Sequence, residues 1–155
     1  MDKKILRIVY SENFKPKNYK FSLINYIKAC LVFYKTRNIM KRGIPLDALK
    51  YIESLSKQKK IEFDDLENEI YNARRIINII NHFDIKHKRI LCLEYSICLC
   101  AALVYLGFEI DLFIGKSLNY VGKYNFHSWL EISGVTVNFR TNYSEVFNIV
   151  YHKSF

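Results

Sequence analysis

Apolar positions in this chain recur at helical spacing up to about residue 90 and alternate after residue 107. Between the two lies Leu91–Gly107, LCLEYSICLCAALVYLG, with apolar residues on every side. Leu93, Ile97, Cys100 and Val104 form one helical row, and Leu99, Leu103 and Leu106 form a second. A helix apolar all round is a core helix. The stretch is short for a membrane span and contains Glu94, so a span is rejected. Gly107 is a natural C-terminal stop.

Upstream, Phe21 to about Arg42 reads as a long helix with Leu23, Tyr26, Ile27, Cys30, Leu31, Tyr34 and Ile39 near one stripe. Lys28, Lys35, Lys41 and Arg42 sit mostly outside it. The favoured reading of that stripe is a core contact with snorkelling lysines, against a nucleic-acid or membrane surface. Gly43-Ile44-Pro45 breaks the chain before a short helix over Leu46–Leu55. Ile61–Phe83 is a second long helix, acidic at its start, with a core face of Leu66, Ile70, Ala73, Ile77 and Ile80. Lys3–Val9 reads as a strand or extended arm, Phe14–Lys20 as a basic linker and Asp84–Arg89 as a basic connector.

Downstream, Phe108–Gly115 alternates as a strand, and Leu118–Asn125 is a loop. In Phe126–Ile132, Phe126, Ser128, Leu130 and Ile132 alternate with His127, Trp129 and Glu131. Ser133-Gly134 is the turn, and Val135–Phe139 returns. A two-residue loop sets Ile132 opposite Val135 and Leu130 opposite Val137. His127, Trp129, Glu131, Thr136 and Asn138 then share the second face, with Asn138 diagonally across from His127. Tyr143–Tyr151 reads as a short helix or irregular tail.

Two residues carry candidate chemistry. Cys92 falls in the first turn of the apolar helix, where unpaired N–H groups and the helix dipole favour a thiolate. The competing reading is a small buried apolar residue, as Cys98 and Cys100 are expected to be. His127, beside an aromatic, is either a satisfied structural residue or a base. Together the two are the parts of a thiol nucleophile and its general base.

The segments CLEYS, LVYLGFEIDLFIG and FHSWLEISG, in that order over about residues 90–140, closely resemble the leader-peptide-cleaving cysteine protease of lasso-peptide biosynthesis, a transglutaminase-like family. A weaker likeness extends into Phe21–Arg42. The resemblance implies an α+β domain of the transglutaminase-like, papain-related type, with a helical N-terminal part packed on a small antiparallel sheet. It implies Cys92 as nucleophile and His127 as base. The partners it implies are a precursor peptide, a small leader-binding protein and a lasso cyclase, in a bacterial cytoplasm, with no cofactor. The family pattern ends its hairpin Asn-Asp, whereas here Asn138 is followed by Phe139. Either Asn138 takes over the orienting role, as in Cys-His-Asn enzymes, or a bulge puts Phe139 on the histidine side and the protein is weak or inactive. Asn142 and Glu145 are lesser substitutes.

The composition narrows this further. The chain has 155 residues, half of them hydrophobic, which suits one domain with a substantial core. Residues 1–90 carry 20 Lys and Arg against 10 Asp and Glu, and residues 91–155 carry 4 against 5. The net charge of +9 therefore belongs to the helical half, not to the candidate catalytic half. A basic surface there suits an acidic peptide or partner protein; nucleic-acid binding is the weakest reading. Four cysteines without a framework spacing point to a reducing compartment. No signal peptide is expected in MDKKILRIVYSENF. The sequence holds no CxxC pair, paired-histidine motif or phosphate-cradling glycine loop, so no metal is expected. A separate leader-binding domain does not fit within this length, so that partner is expected in trans.

Overall fold

The computed structural model describes residues 17, 19–43, 45–57, 60–83, 91–117, 126–139 and 147–155. The expectations for Lys3–Val9, Leu118–Asn125, Asp84–Arg89, Asn142 and Glu145 lie outside the described residues, as does most of Phe14–Lys20. The described part is mixed α+β. Four helices precede four strands: α1 Leu23–Lys41, α2 Pro45–Leu55, α3 Leu66–Phe83, α4 Cys92–Tyr105, β1 Asp111–Ser117, β2 Phe126–Ile132, β3 Val135–Thr136 and β4 Phe147–Ser154.

Local chemistry sets the helix ends. Ser22 caps α1, its hydroxyl accepting from the Asn25 N–H at 3.3 Å. Pro45 opens α2, where its missing N–H costs nothing. The Asp65 carboxylate accepts from the Asn68 N–H at 2.7 Å, so α3 starts later than Ile61. Gly107, at φ 94°, closes α4. The Phe108 N–H reaches Leu103 O at 3.2 Å and the Gly107 N–H reaches Val104 O at 3.0 Å, the paired bonds of a glycine-terminated helix.

The sheet is antiparallel in the order β3-β2-β1-β4. The β2–β3 hairpin has the expected register, with Ile132 paired to Val135 and Glu131 to Thr136. Ser133 and Gly134 turn with φ of 47° and 80°, the left-handed pair a two-residue hairpin needs. β4 corrects the expectation of a helix or irregular tail. Its residues run antiparallel to β1 with a bulge at Ile114/Gly115. Phe147, Ile149 and Tyr151 do alternate, but a strand at the sheet edge has a weak pattern because little of it is buried.

One hydrophobic cluster joins both halves of the chain. α4 is its axis, packed on α1 and α2 on one side and on β1 and β2 on the other. Nine of its 14 residues are buried, Cys98 and Cys100 among them, as expected of a helix apolar all round. α1 differs from expectation. Its buried residues are Ala29, Val32, Phe33 and Thr36. Of the stripe read from the sequence, Leu23, Ile27 and Leu31 are exposed, and Tyr26, Cys30, Tyr34 and Ile39 are only half-buried. Phe33, fully buried on that face, meets Tyr95 of α4 with ring centroids 6.5 Å apart. Arg37 of α1 pairs with Glu94 of α4 at 3.2 Å, tying the two helices near the start of α4.

Candidate thiol–imidazole site

α4 begins at Cys92 behind Leu91, which adopts an extended backbone and supplies no side-chain cap. The first intrahelical bond is Tyr95 N–H to Leu91 O at 3.0 Å, so helical bonding leaves the N–H groups of Cys92, Leu93 and Glu94 unused. That end of the helix carries its positive partial charge. The sheet brings β2 alongside. Cys92 Sγ lies 4.0 Å from Phe126 O, and the next residue is His127.

The electrostatics of the four cysteines separate them. The Cys92 thiol is held below the ordinary cysteine range, first by His127 and further by the Ser128 backbone N–H, against the opposing effect of partial burial. Burial pushes the Cys98 thiol up to about 12 and raises that of Cys100 further. Cys30 is also raised, by burial alone. All four are free thiols, and only Cys92 is tuned toward the thiolate.

Of the two readings of the hairpin end, the one that has Asn138 orienting the imidazole meets an amide engaged elsewhere at both ends. The Val137 N–H still donates to Leu130 O at 2.9 Å, as the two-residue register requires. The return bond is replaced, because the Leu130 N–H donates to Asn138 Oδ1 at 2.9 Å rather than to a backbone carbonyl. The strand leaves the ladder there. Asn138 Nδ2 donates to Ser96 Oγ at 3.2 Å, and Ser96 Oγ donates to Ser128 O at 3.0 Å. Both ends of the amide thus serve the junction between α4 and β2. Phe139 lies beside the imidazole instead, with ring centroids 4.9 Å apart.

Further aromatic rings lie near His127 among the described residues. The Phe147 ring lies 5.7 Å from the imidazole and 5.9 Å from Trp129. Trp129 stacks on Phe113, and Phe113 stacks on His152. Gly115, paired with His127 across the ladder, makes this possible. A Cβ there would stand 2.7 Å from Phe147 Cβ and 2.8 Å from the Trp129 ring. Trp129 donates to the buried Glu131 carboxylate at 2.7 Å. Phe139 beside the imidazole was one of the two readings of the hairpin end; sequence reasoning missed Phe147 as a further neighbour. It also missed Ser96 as the tie to β2, although Ser96 is the serine of the Cys-Leu-x-x-Ser pattern.

A cavity of about 560 Å³ opens at the far end of the sheet, lined by Lys60, Glu69, Glu109, Asp111, Ser154 and Phe155 among others. It touches neither Cys92 nor His127. Lys60 already pairs with Glu109 there at 2.7 Å. No group of His, Cys, Asp and Glu able to hold a metal ion occurs among the described residues. The described site is therefore a thiol–imidazole pair at an uncapped helix start, on a mixed α+β scaffold. No protein-family model, curated protein or solved structure matches this chain.

Proposed function

We propose that this chain is a cysteine peptidase of the transglutaminase-like, papain-related kind, and that it removes the leader from a ribosomally made precursor in lasso-peptide maturation. The observation that carries the enzymatic part is the position of Cys92 in the first turn of α4, its Sγ 4.0 Å from Phe126 O beside His127, with the thiol held below its ordinary range chiefly by His127. The resemblance of residues 90–140 carries the substrate. In this reading the Cys92 thiolate attacks the scissile carbonyl carbon, and His127, protonated by the thiol, gives its proton to the departing amine. Water then cleaves the thioester, with the imidazole taking its proton, and frees the acid and the thiol. The Cys92 backbone N–H is one donor to the transient oxyanion. Asn138 acts indirectly, by locking β2 to α4. The partners are the precursor, a leader-binding protein supplied in trans and a cyclase.

One observation favours a second reading, an inactive scaffold of the same kind that binds precursor or cyclase. Phe139 stands where the resemblance places a carboxylate, and its ring lies against the imidazole. A mass-spectrometric cleavage assay with the cognate precursor and its leader-binding partner separates the two. Leader release by wild type and not by Cys92→Ala supports the peptidase. Binding without cleavage, with activity appearing in Phe139→Asp, supports the scaffold.

A further inference from the structure

The outer face of α1 is the largest feature the proposed chemistry leaves unused. Leu23, Ile24, Ile27 and Leu31 are exposed at 76%, 58%, 52% and 61%. Leu23, Ile27 and Leu31 stand four residues apart, so they form one ridge along the first turns of the helix, with Ile24 beside it. The opposite face of the same helix is buried against α4. The helix is thus apolar on both sides, and among the described elements α4 and α2 pack on its inner side.

Charge indicates what meets the other side. α1 carries Lys28, Lys35, Arg37 and Lys41 and no Asp or Glu in 19 residues. Arg37 is engaged with Glu94. Lys28 and Lys35 are exposed and flank the ridge, and the Lys35 ammonium lies over the Tyr51 ring at 4.5 Å. α2, α3 and α4 each place an acid in their first turn, where the dipole rewards it; α1 has none. A second copy on this ridge would set lysines against lysines. A protein partner is usually met through Trp, Tyr and Arg anchors, with Leu under-represented, whereas this ridge is purely aliphatic. Aliphatic side chains with a one-signed basic flank match a bilayer interface bearing anionic headgroups.

We propose that the Leu23–Leu31 face of α1 docks the protein on an anionic membrane surface, the aliphatic ridge entering the interface while Lys28 and Lys35 meet lipid phosphates. This is peripheral attachment, since no helix among the described residues is long and apolar enough to cross a membrane. It does not depend on the peptidase reading. The test is co-sedimentation of the full chain with vesicles of phosphatidylcholine containing about one-third phosphatidylglycerol, against phosphatidylcholine alone. Wild type is expected to bind the anionic vesicles, to bind the neutral ones at least about tenfold more weakly, and to release as salt rises. Leu23→Ser/Ile27→Ser/Leu31→Ser, all at exposed positions, is expected to lose binding by about tenfold or more with an unchanged melting temperature and unchanged Cys92 alkylation. Lys28→Gln/Lys35→Gln is expected to weaken it by roughly tenfold. The proposal is overturned if wild type does not bind the anionic vesicles, or if the triple-serine variant binds them as wild type does. It is equally overturned if wild type ignores both vesicles and instead binds an amphipathic peptide with glutamate-flanked leucines, which makes the face a protein interface.

Discussion

α1, with four basic residues, and α4, with Glu94 as its one charged residue, both carry apolar residues on opposite sides and meet opposite fates. α4 lies between two helices and a sheet, so its sides all find apolar neighbours and nine of its 14 residues are buried. α1 lies at the edge of the same core, and only four of its 19 residues are buried. Apolarity on all sides therefore states a demand for neighbours, and the topology determines how many are supplied. α4 presents Cys92 at its first turn, and α1 keeps an exposed aliphatic ridge with lysines beside it.

The sharpest way to break that comparison is a matched pair of truncations. Leu103→Ala, in the fully buried part of α4, should cost about 2–5 kcal/mol in denaturant unfolding. Leu31→Ala on the outer face of α1 should stay within about 0.5 kcal/mol of wild type. A large loss for Leu31→Ala would mean the ridge is covered within the chain itself, and the contrast would fall.

A smaller effect is expected where α4 meets the sheet. Asn138→Ala leaves the Leu130 N–H without its acceptor and Ser96 Oγ with only its bond to Ser128 O, and should cost about 1–3 kcal/mol. Its readout beyond stability is the alkylation of Cys92 by iodoacetamide, which should keep its pH profile. A profile displaced as far as that of a histidine variant would return Asn138 to the role of orienting the imidazole.

The chemistry at the end of α4 gives the next test. Because His127 lowers the Cys92 thiol, His127→Ala moves that thiol back up and reduces the thiolate fraction at neutral pH. Cys92 alkylation near pH 7 should slow several-fold and recover as pH is raised. Cys98 and Cys100 should stay unreactive in the folded protein, since both are buried and raised. An unchanged rate in the variant would remove the thiol–imidazole pair.

The smallest effect concerns Glu131. Burial raises its carboxyl, with Asp111 adding to the rise and the Trp129 hydrogen bond and His152 opposing it. A raised acid contributes its full stability below the unfolded-state value and loses it as pH climbs through the folded-state value. Glu131→Gln keeps an acceptor for Trp129 and removes the charge. Its melting temperature should therefore vary less with pH above the ordinary carboxylate range, and should not fall below that of wild type near neutrality. A steeper profile would show that the charged carboxylate is favoured in the fold.

The sequence alone determined the elements with a strong local cause. The apolar run ending at Gly107, the Ser133-Gly134 turn and the alternation of β2 were all legible because backbone conformation and periodicity depend on near neighbours. Cys92 and His127 were legible as candidates for the same reason, one at a helix start and one at a strand start. Tertiary structure alone decided the rest. Which face of α1 is buried depended on its packing against α4, seen at Phe33–Tyr95 and, across 57 residues, at Arg37–Glu94. β4 formed because β1 offered an edge, not because its own pattern was strong. The fate of Asn138 turned on one backbone N–H and one serine hydroxyl. Hairpin pairing leaves an amide two equivalent uses, as a ligand of the imidazole or as a strand stop, and only the arrival of Ser96 from another element selected the second.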